Sequence, residues 1–150
     1  MGWRWALRSI WWQRVLGFNR HVPWPCSPFI LVGDASKIQF HVDDLNNFQG
    51  LGNYYQTSGN IVIGRGTWIA PNVGIITGNH NPENPDEQLD PEDVVIGEHC
   101  WIGMNAVILP GVHLGDHTVV GAGAVVTKSY PQGHCVVAGV PARVVREWGP

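Results

Sequence analysis

His80 is the residue of this 150-residue sequence whose type and position most favour acid–base chemistry. It lies in the segment ITGNHNPENP, where a regular pattern of aliphatic residues stops and a run rich in proline and acidic residues begins. An imidazole titrates near neutrality and can therefore accept or release a proton at physiological pH. The alternative is an ordinary surface histidine. If His80 is a base, its second ring nitrogen needs an orienting partner, either a carboxylate such as Glu83 or a main-chain carbonyl group.

The other histidines and the cysteines are weaker candidates. His113 and His117 have the four-residue spacing that binds zinc on a helix, but the surrounding pattern is not helical. We expect them, like His99, at exposed corners of the fold. The cysteines are odd in number and widely separated, which indicates neither a disulfide framework nor a zinc knuckle; they are Cys26, Cys100 and Cys135. We interpret Cys100 as a packing residue, and we expect no metal site.

A period of six residues organises the chain that surrounds His80. From position 96 the sequence reads IGEHCW, IGMNAV, ILPGVH, LGDHTV, VGAGAV and VTKSYP, so that an aliphatic residue opens each unit. The earlier units IGRGTW and IAPNVG keep the same phase, and residues 29–60 carry a weaker trace. Six residues match neither the period of a helix nor the simple alternation of a half-buried strand. Something must turn the chain at every sixth residue.

We interpret this period as a parallel β-helix with three short strands in each coil of eighteen residues. The aliphatic residues would form internal columns, and a small residue such as Ala106 or Thr118 would fill each corner. We expect glycines such as Gly97 and Gly115 to make the bends, because glycine accepts backbone angles that other residues resist. Residues 78–95 interrupt the repeat with three prolines and six acidic residues. They should project as a loop, either functional or merely a solvated acidic excursion.

These repeats resemble the hexapeptide-repeat acyltransferases, and the closing runs VGAGAVVTK and VVAGVPARVVRE are similar to the sugar O-acetyltransferase branch. The resemblance implies an all-β fold, a left-handed parallel β-helix, which is an exception to the usual right-handed crossover. It also implies a homotrimer with sites between subunits and acetyl-CoA as cosubstrate. An acetyl group would pass directly to a sugar or glycan hydroxyl. His80 occupies the matching place for the general base, and a backbone N–H would stabilise the oxyanion.

The resemblance further implies where coenzyme A would bind. Main-chain groups of successive coils would contact its pantetheine arm, and two arginines would lie near its nucleotide end. Met104 stands where related sugar acetyltransferases can have serine, so a hydroxyl contact is lost. Trp101 is expected to form a wall of the acceptor pocket. The predicted coenzyme-binding residues are Gly103, Met104, Ala122, Thr127, Lys128, Arg143 and Arg146.

Residues 1–28 form a separate N-terminal segment before the β-helix domain of residues 29–150. A helix over part of this segment is predicted, ending near Gly17 or before Pro23. One interpretation is a cap on the open end of the coil or a contact with a neighbouring subunit. The alternative is peripheral membrane contact through residues 1–20, because tryptophans and cations together suit a membrane interface. Four arginines and no acidic residue precede Asp34; they are Arg4, Arg8, Arg14 and Arg20.

Composition limits the remaining classes of protein. Only 14% of the residues are charged and 44% are hydrophobic, which excludes a highly charged disordered chain. The net charge of −3 means that the chain has no overall excess of positive charge for binding nucleic acid. We expect a cytoplasmic protein, with the inner face of the membrane as an alternative location. Other functions left open are acetylation of an amino sugar or antibiotic, a carbonic anhydrase on the same coil, and a non-catalytic trimeric module.

Overall fold

The computed structural model describes residues 3–149, which form a short helical segment followed by a stack of β-coils. Helix α1 (Trp3–Ile10) runs directly into a π-helical turn (Trp11–Val15). Two 3-10 helices (Ala35–Lys37 and Val42–Phe48) lie within the first coils. The strands are β1 (Leu31–Val32), β2 (Ile38–Phe40), β3 (Tyr54–Gln56), β4 (Ile61–Ile63), β5 (Trp68–Ile69), β6 (Gly74–Ile76), β7 (Val94–Ile96), β8 (Trp101–Ile102), β9 (Val107–Ile108), β10 (His113–Leu114), β11 (Val119–Val120), β12 (Val125–Val126), β13 (Cys135–Ala138) and β14 (Arg143–Glu147).

The strands form three sheets, one for each face of a triangular prism. Face A has the order β1-β3-β6-β9-β12, face B has β10-β7-β4-β2, and face C has β14-β13-β11-β8-β5. All pairings between these strands are parallel except that of β13 with β14, which adds an antiparallel strand at the edge of face C. Because consecutive strands from β1 to β13 lie on different faces, the chain turns at each corner. The predicted parallel β-helix with three strands per coil is confirmed.

The aliphatic residue that opens each six-residue unit points into the prism and forms a column with its equivalents. On face A, Ile75 pairs with Ile108 and Ile108 with Val126. On face C, Ile69 pairs with Ile102 and Ile102 with Val120. These residues are buried in one continuous core. Burial of such side chains is worth about 1.5–3 kcal/mol each, so the columns hold the coils together.

The corners differ from our expectation in the role of glycine. Gly97 and Gly115 do not adopt a left-handed backbone; that conformation falls two residues later, at His99 and His117, with φ of +53° and +57°. A Cβ atom on Gly97 would instead lie 2.7 Å from the backbone nitrogen of Asp116 in the next coil. Gly97 is therefore required by the close approach of successive coils and does not supply the bend. At other corners Gly111 and Gly123 do adopt the left-handed backbone, with φ of +74° and +70°, as expected of glycines at bends.

The N-terminal segment packs against the first coil through hydrogen bonds from its polar side chains. Trp12 Nε1 donates to the carbonyl oxygen of Cys26 at 2.9 Å. Asn19 Nδ2 donates to the carbonyl oxygens of Ser27 and Ile30 at 2.9 and 3.0 Å. The predicted helix is present, and the segment covers the end of the core at Cys26 and Ile30. Among residues 3–149, no helix has both the length and the apolar character needed to cross a bilayer.

Candidate active site

The acidic loop leaves the β-helix between β6 on face A and β7 on face B. It ends at Asp93, two residues earlier than expected, because Val94 already begins β7. Its base is closed by backbone bonds from Leu89 N to Asn79 O and from Glu92 N to Thr77 O, both 2.9 Å. Beyond this base almost every loop residue is exposed to solvent. The loop therefore projects from the corner on a fixed stem, as the sequence predicted.

His80 lies on this stem, where it forms an antiparallel bridge with Gln88. Its Nδ1 atom is 2.8 Å from the carbonyl oxygen of Pro85. A carbonyl oxygen can only accept, so Nδ1 is the donor in this contact, and in a neutral ring Nε2 then carries the lone pair. The side chain of Glu83 takes no part in this contact; the backbone N–H of Glu83 donates to Asn81 Oδ1 at 3.0 Å. Of the two orienting partners considered above, the structure has the main-chain carbonyl.

A cleft of about 230 Å³ opens beside His80, between the loop stem and the coil. The side chain of Gln56 forms part of its wall, and its Oε1 atom accepts hydrogen bonds from Thr77 N and Gly78 N, both at 2.8 Å. Gln56 thus fixes the backbone just before His80. Gln56 was not among the predicted site residues, although the weaker repeat in residues 29–60 could have placed it beside β6. The cleft is lined by Gln56, Ser58, Gly78, Asn79, His80, Gln88, Leu89 and Pro91.

The structure brings three of the predicted coenzyme-binding residues together. Gly103 and Met104 follow β8, and Ala122 follows β11, so they lie at the same corner of successive coils. A Cβ atom on Gly103 would come within 2.6 Å of the backbone nitrogen of Ala122. The carbonyl oxygen of Met104 accepts from Gly123 N at 2.8 Å. This corner therefore presents closely stacked main chain beside the exposed side chain of Met104.

The remaining predicted coenzyme-binding residues lie elsewhere on the prism. Thr127 and Lys128 follow β12, at the corner between faces A and B from which the acidic loop also leaves. Lys128 Nζ lies 5.6 Å from the centre of the Tyr130 ring. Arg143 and Arg146 lie on β14, which is exposed along its whole length. All four side chains are accessible for a phosphate or a nucleotide.

A single chain does not place these groups around His80. None of the predicted coenzyme-binding residues lines the His80 cleft, and neither does Trp101. Trp101 is exposed on face C, in register with the equally exposed Trp68. His80 and Trp101 therefore belong to different faces of one prism. Within one chain, the His80 cleft and the predicted coenzyme-binding residues are thus separate.

Three of the other histidines, His99, His117 and His134, stack on one another at successive corners, which the sequence pattern did not predict. The ring centres of His99 and His117 are 5.2 Å apart, and those of His117 and His134 are 4.9 Å apart. His99 and His117 are exposed, as expected. Within the part of the chain that the structure describes, no cluster of three or more His, Cys, Asp or Glu side chains is placed to hold a metal ion.

The cysteines are buried packing residues. Burial raises the pKa of the Cys26 thiol to about 12 and also raises the pKa of the Cys100 thiol. Cys100 Sγ lies 3.3 Å from the carbonyl oxygen of Gly115 inside the prism. A thiol that stays protonated at neutral pH is a poor nucleophile. The interpretation of Cys100 as a packing residue is consistent with this environment.

Comparison with known proteins shows which transferases this β-helix resembles. The family model described as bacterial transferase hexapeptide (six repeats) matches residues 93–128. Galactoside O-acetyltransferase of Escherichia coli is 43% identical over 90 residues, which are 58% of this chain and 44% of that protein. The chain spans about half the length of the curated relatives it matches.

Solved structures agree with this similarity. A galactoside acetyltransferase in complex with coenzyme A superimposes with a TM-score of 0.70 at 32% identity, over 85% of this chain and 62% of that one. A hexapeptide-repeat acetyltransferase from Vibrio cholerae, complexed with acetyl coenzyme A, gives a TM-score of 0.72 at 26% identity, over 81% and 66%. The chain thus carries the hexapeptide repeat of these transferases in residues 93–128 and is similar to hexapeptide-repeat acetyltransferases over most of its length. The predicted left-handed parallel β-helix is the fold of these neighbours.

Proposed function

We propose that the protein is an acetyl-CoA-dependent O-acetyltransferase that acts on a sugar or glycan hydroxyl, with His80 as general base. The observation that carries this proposal is the contact between His80 Nδ1 and the carbonyl oxygen of Pro85. It leaves Nε2 free to accept a proton, on a rigid stem beside an open cleft. The similarity to galactoside and maltose acetyltransferases supports a sugar acceptor.

In the proposed reaction the acceptor oxygen attacks the thioester carbonyl while its proton passes to His80 Nε2. The carbon–sulfur bond then breaks, the acetyl group stays on the acceptor, and the coenzyme leaves as its thiol after taking up a proton. A backbone N–H would stabilise the oxyanion of the tetrahedral intermediate. No covalent bond to the protein is required, which agrees with the buried, protonated state of the Cys100 thiol.

We propose that the complete site lies between subunits of a homotrimer. His80 and the corner formed by Gly103, Met104 and Ala122 are on different edges of one prism, so one chain would supply the base and a neighbour the coenzyme contacts. The coenzyme contacts would extend to Thr127, Lys128, Arg143 and Arg146, and Trp101 would form a wall of the acceptor pocket. The cytoplasm, where acetyl-CoA is made and buried thiols such as Cys26 stay reduced, is the proposed location.

The experiment is to incubate the protein with acetyl-CoA and a panel of sugars and to follow the release of free thiol. Substitution His80→Ala should slow transfer by about 10²–10⁴-fold if the imidazole is the general base. His113→Ala is the matched control, because His113 is exposed on face B and outside the cleft. Turnover that is unchanged in His80→Ala would end the assignment, and no turnover with any acceptor would count against the function itself.

A further inference from the structure

The outer side of the N-terminal helical segment is apolar although it faces solvent. Its exposed side chains recur with helical spacing, and about half or more of each is accessible, with 60% for Trp11 and 53% for Ile10. The side turned toward the coil carries two buried polar residues, Ser9 and Gln13, beside the half-buried Trp5 and Trp12. This arrangement differs from an ordinary amphipathic helix, in which the large apolar side chains face the core and the polar ones face solvent. The exposed set, called the N-terminal apolar face below, is Leu7, Ile10, Trp11, Val15, Leu16 and Phe18.

The polar inner side explains why the segment holds this unusual orientation. Gln13 Nε2 donates to the carbonyl oxygen of Trp24 at 3.1 Å, and Gln13 Oε1 accepts from Cys26 N at 3.3 Å. Ser9 Oγ donates to the carbonyl oxygen of Ala6 at 2.6 Å. If the segment were rotated so that its apolar side became buried, the hydrogen bonds of Gln13 would break and buried polar groups would be left unpaired. The hydrogen bonds of Gln13 therefore hold the N-terminal apolar face in its solvent-exposed orientation.

Positive charge surrounds this face. Arg4, Arg8, Arg14 and Arg20 are all exposed, and every acidic residue of the sequence lies at Asp34 or beyond. Among the residues that the structure describes, the only carboxylate in a salt bridge is that of Asp43, with His41 and Arg65. The four arginines of the segment thus keep their charge available for an outside partner.

The apolar character continues from the helix onto the first coil. A groove of about 400 Å³ lies between them, with Trp5 and Trp12 on one side and Phe29 and Leu51 on the other. Phe29 is 74% exposed, the highest exposure among the large hydrophobic side chains of the described chain. With the arginines, the groove and the N-terminal apolar face make one end of the prism both apolar and positively charged.

We propose that this end of the molecule docks on an anionic lipid bilayer. Apolar and aromatic side chains would enter the boundary between headgroups and acyl chains, while the arginine guanidinium groups stay among the phosphates. A second copy of the chain fits less well. Its acidic loop could form ion pairs with the arginines. That loop contains one large hydrophobic residue, Leu89, so it would leave the N-terminal apolar face uncovered.

The test is sedimentation of the 150-residue chain with phosphatidylcholine vesicles that contain or lack phosphatidylglycerol. We expect binding to the anionic vesicles only, weakening as added salt screens the charges. Each Arg→Gln substitution should weaken binding about fivefold, so the triple variant Arg4→Gln, Arg8→Gln and Arg14→Gln should lose about a hundredfold. The double variant Trp11→Ser and Val15→Ser should lose at least about tenfold, because it removes buried apolar surface.

The matched controls are Arg65→Gln and Val42→Ser, an exposed arginine and an exposed hydrophobic residue outside the segment. Both should bind like the unsubstituted protein, and the melting temperature of every variant verifies folding. Absence of binding to anionic vesicles, or equal binding by the triple variant, would overturn the proposal. So would lipid-free self-association that the substitutions abolish. Because no turnover is measured, the outcome is independent of whether the protein is an acetyltransferase.

Discussion

The Nδ1 atom of His80 lies 2.8 Å from the carbonyl oxygen of Pro85, five residues further along the same loop. This contact fixes the ring by main chain rather than by a carboxylate. An aspartate or glutamate partner would stabilise the positively charged imidazolium by a direct charge interaction, whereas a carbonyl group offers only its dipole. In the proposed reaction His80 would therefore act as an oriented neutral base.

Two substitutions test separately the two roles of the imidazole nitrogens, which are proton acceptance at Nε2 and orientation of the ring through Nδ1. In His80→Asn, the amide nitrogen can still donate to the Pro85 carbonyl, but the Nε2 lone pair is lost, so transfer should fall by about 10²–10⁴-fold. Glu83→Gln should leave turnover nearly unchanged, because the Glu83 side chain makes no contact with the ring. Steady-state rates and melting temperatures check both variants. A large loss of activity in Glu83→Gln would contradict the assigned orienting group.

Arg146 provides a test of the proposed coenzyme site. Its exposed guanidinium on β14 should bind a phosphate of coenzyme A, and Arg146→Gln should raise both the KM for acetyl-CoA and the Kd for coenzyme A by about tenfold. The kcat should stay the same, because the nucleotide end is remote from the reacting carbonyl. Arg65→Gln is the control, since Arg65 faces Asp43 at 3.4 Å. Unchanged coenzyme binding in Arg146→Gln would remove this residue from the site.

Close approach of successive coils should make some glycines far less replaceable than others. A Cβ atom at Gly97 would lie 2.7 Å from Asp116 N and 2.8 Å from Gly115 C, so Gly97→Ala must displace backbone. We expect a loss of about 1–3 kcal/mol in the free energy of unfolding. At Gly74 the nearest atom to a new Cβ is 3.8 Å away, and Gly74→Ala should be neutral or slightly stabilising. Denaturant unfolding of both variants measures the difference, and equal losses would refute the explanation.

Asp93 should make the stability of the loop base depend on pH. Hydrogen bonds from the backbone N–H and the side chain of Asn60 hold the pKa of this carboxyl below its ordinary value. The folded state thus favours the ionised form, so the stabilisation is present above the unfolded pKa of about 3.9 and is lost as the pH falls through the lowered folded pKa. The melting temperature of Asp93→Asn should lie below that of the unsubstituted protein at pH 7, and this gap should shrink in acid.

Asp86→Asn is the control for that experiment, because Asp86 lies in the exposed middle of the loop. Its substitution should change the melting temperature little at either pH. A gap for Asp93→Asn that is as large below the folded pKa as at pH 7 would show that the carboxylate charge is not what stabilises the base.

The six-residue period predicted the columns of Ile75, Ile108 and Val126 because inward and outward positions of a repeating coil are set by local sequence alone. It did not predict the contact from Pro85 to His80, since that contact depends on how a non-repeating loop folds. The role of Gly97 was misjudged for a similar reason. A pattern shows where glycine recurs, but only the distance to the neighbouring coil shows whether backbone angle or space requires it.

The acidic loop enters and leaves the prism without disturbing the register of the strands on either side. Partners such as Ile102 and Val120 are 18 residues apart, whereas Ile69 and Ile102, which the loop separates, are 33 apart, yet both pairs meet in the same column. The packing of the core is therefore independent of the length of the acidic loop. The segment that carries His80 can thus be lengthened, shortened or exchanged without changing how the coils pack on either side of it.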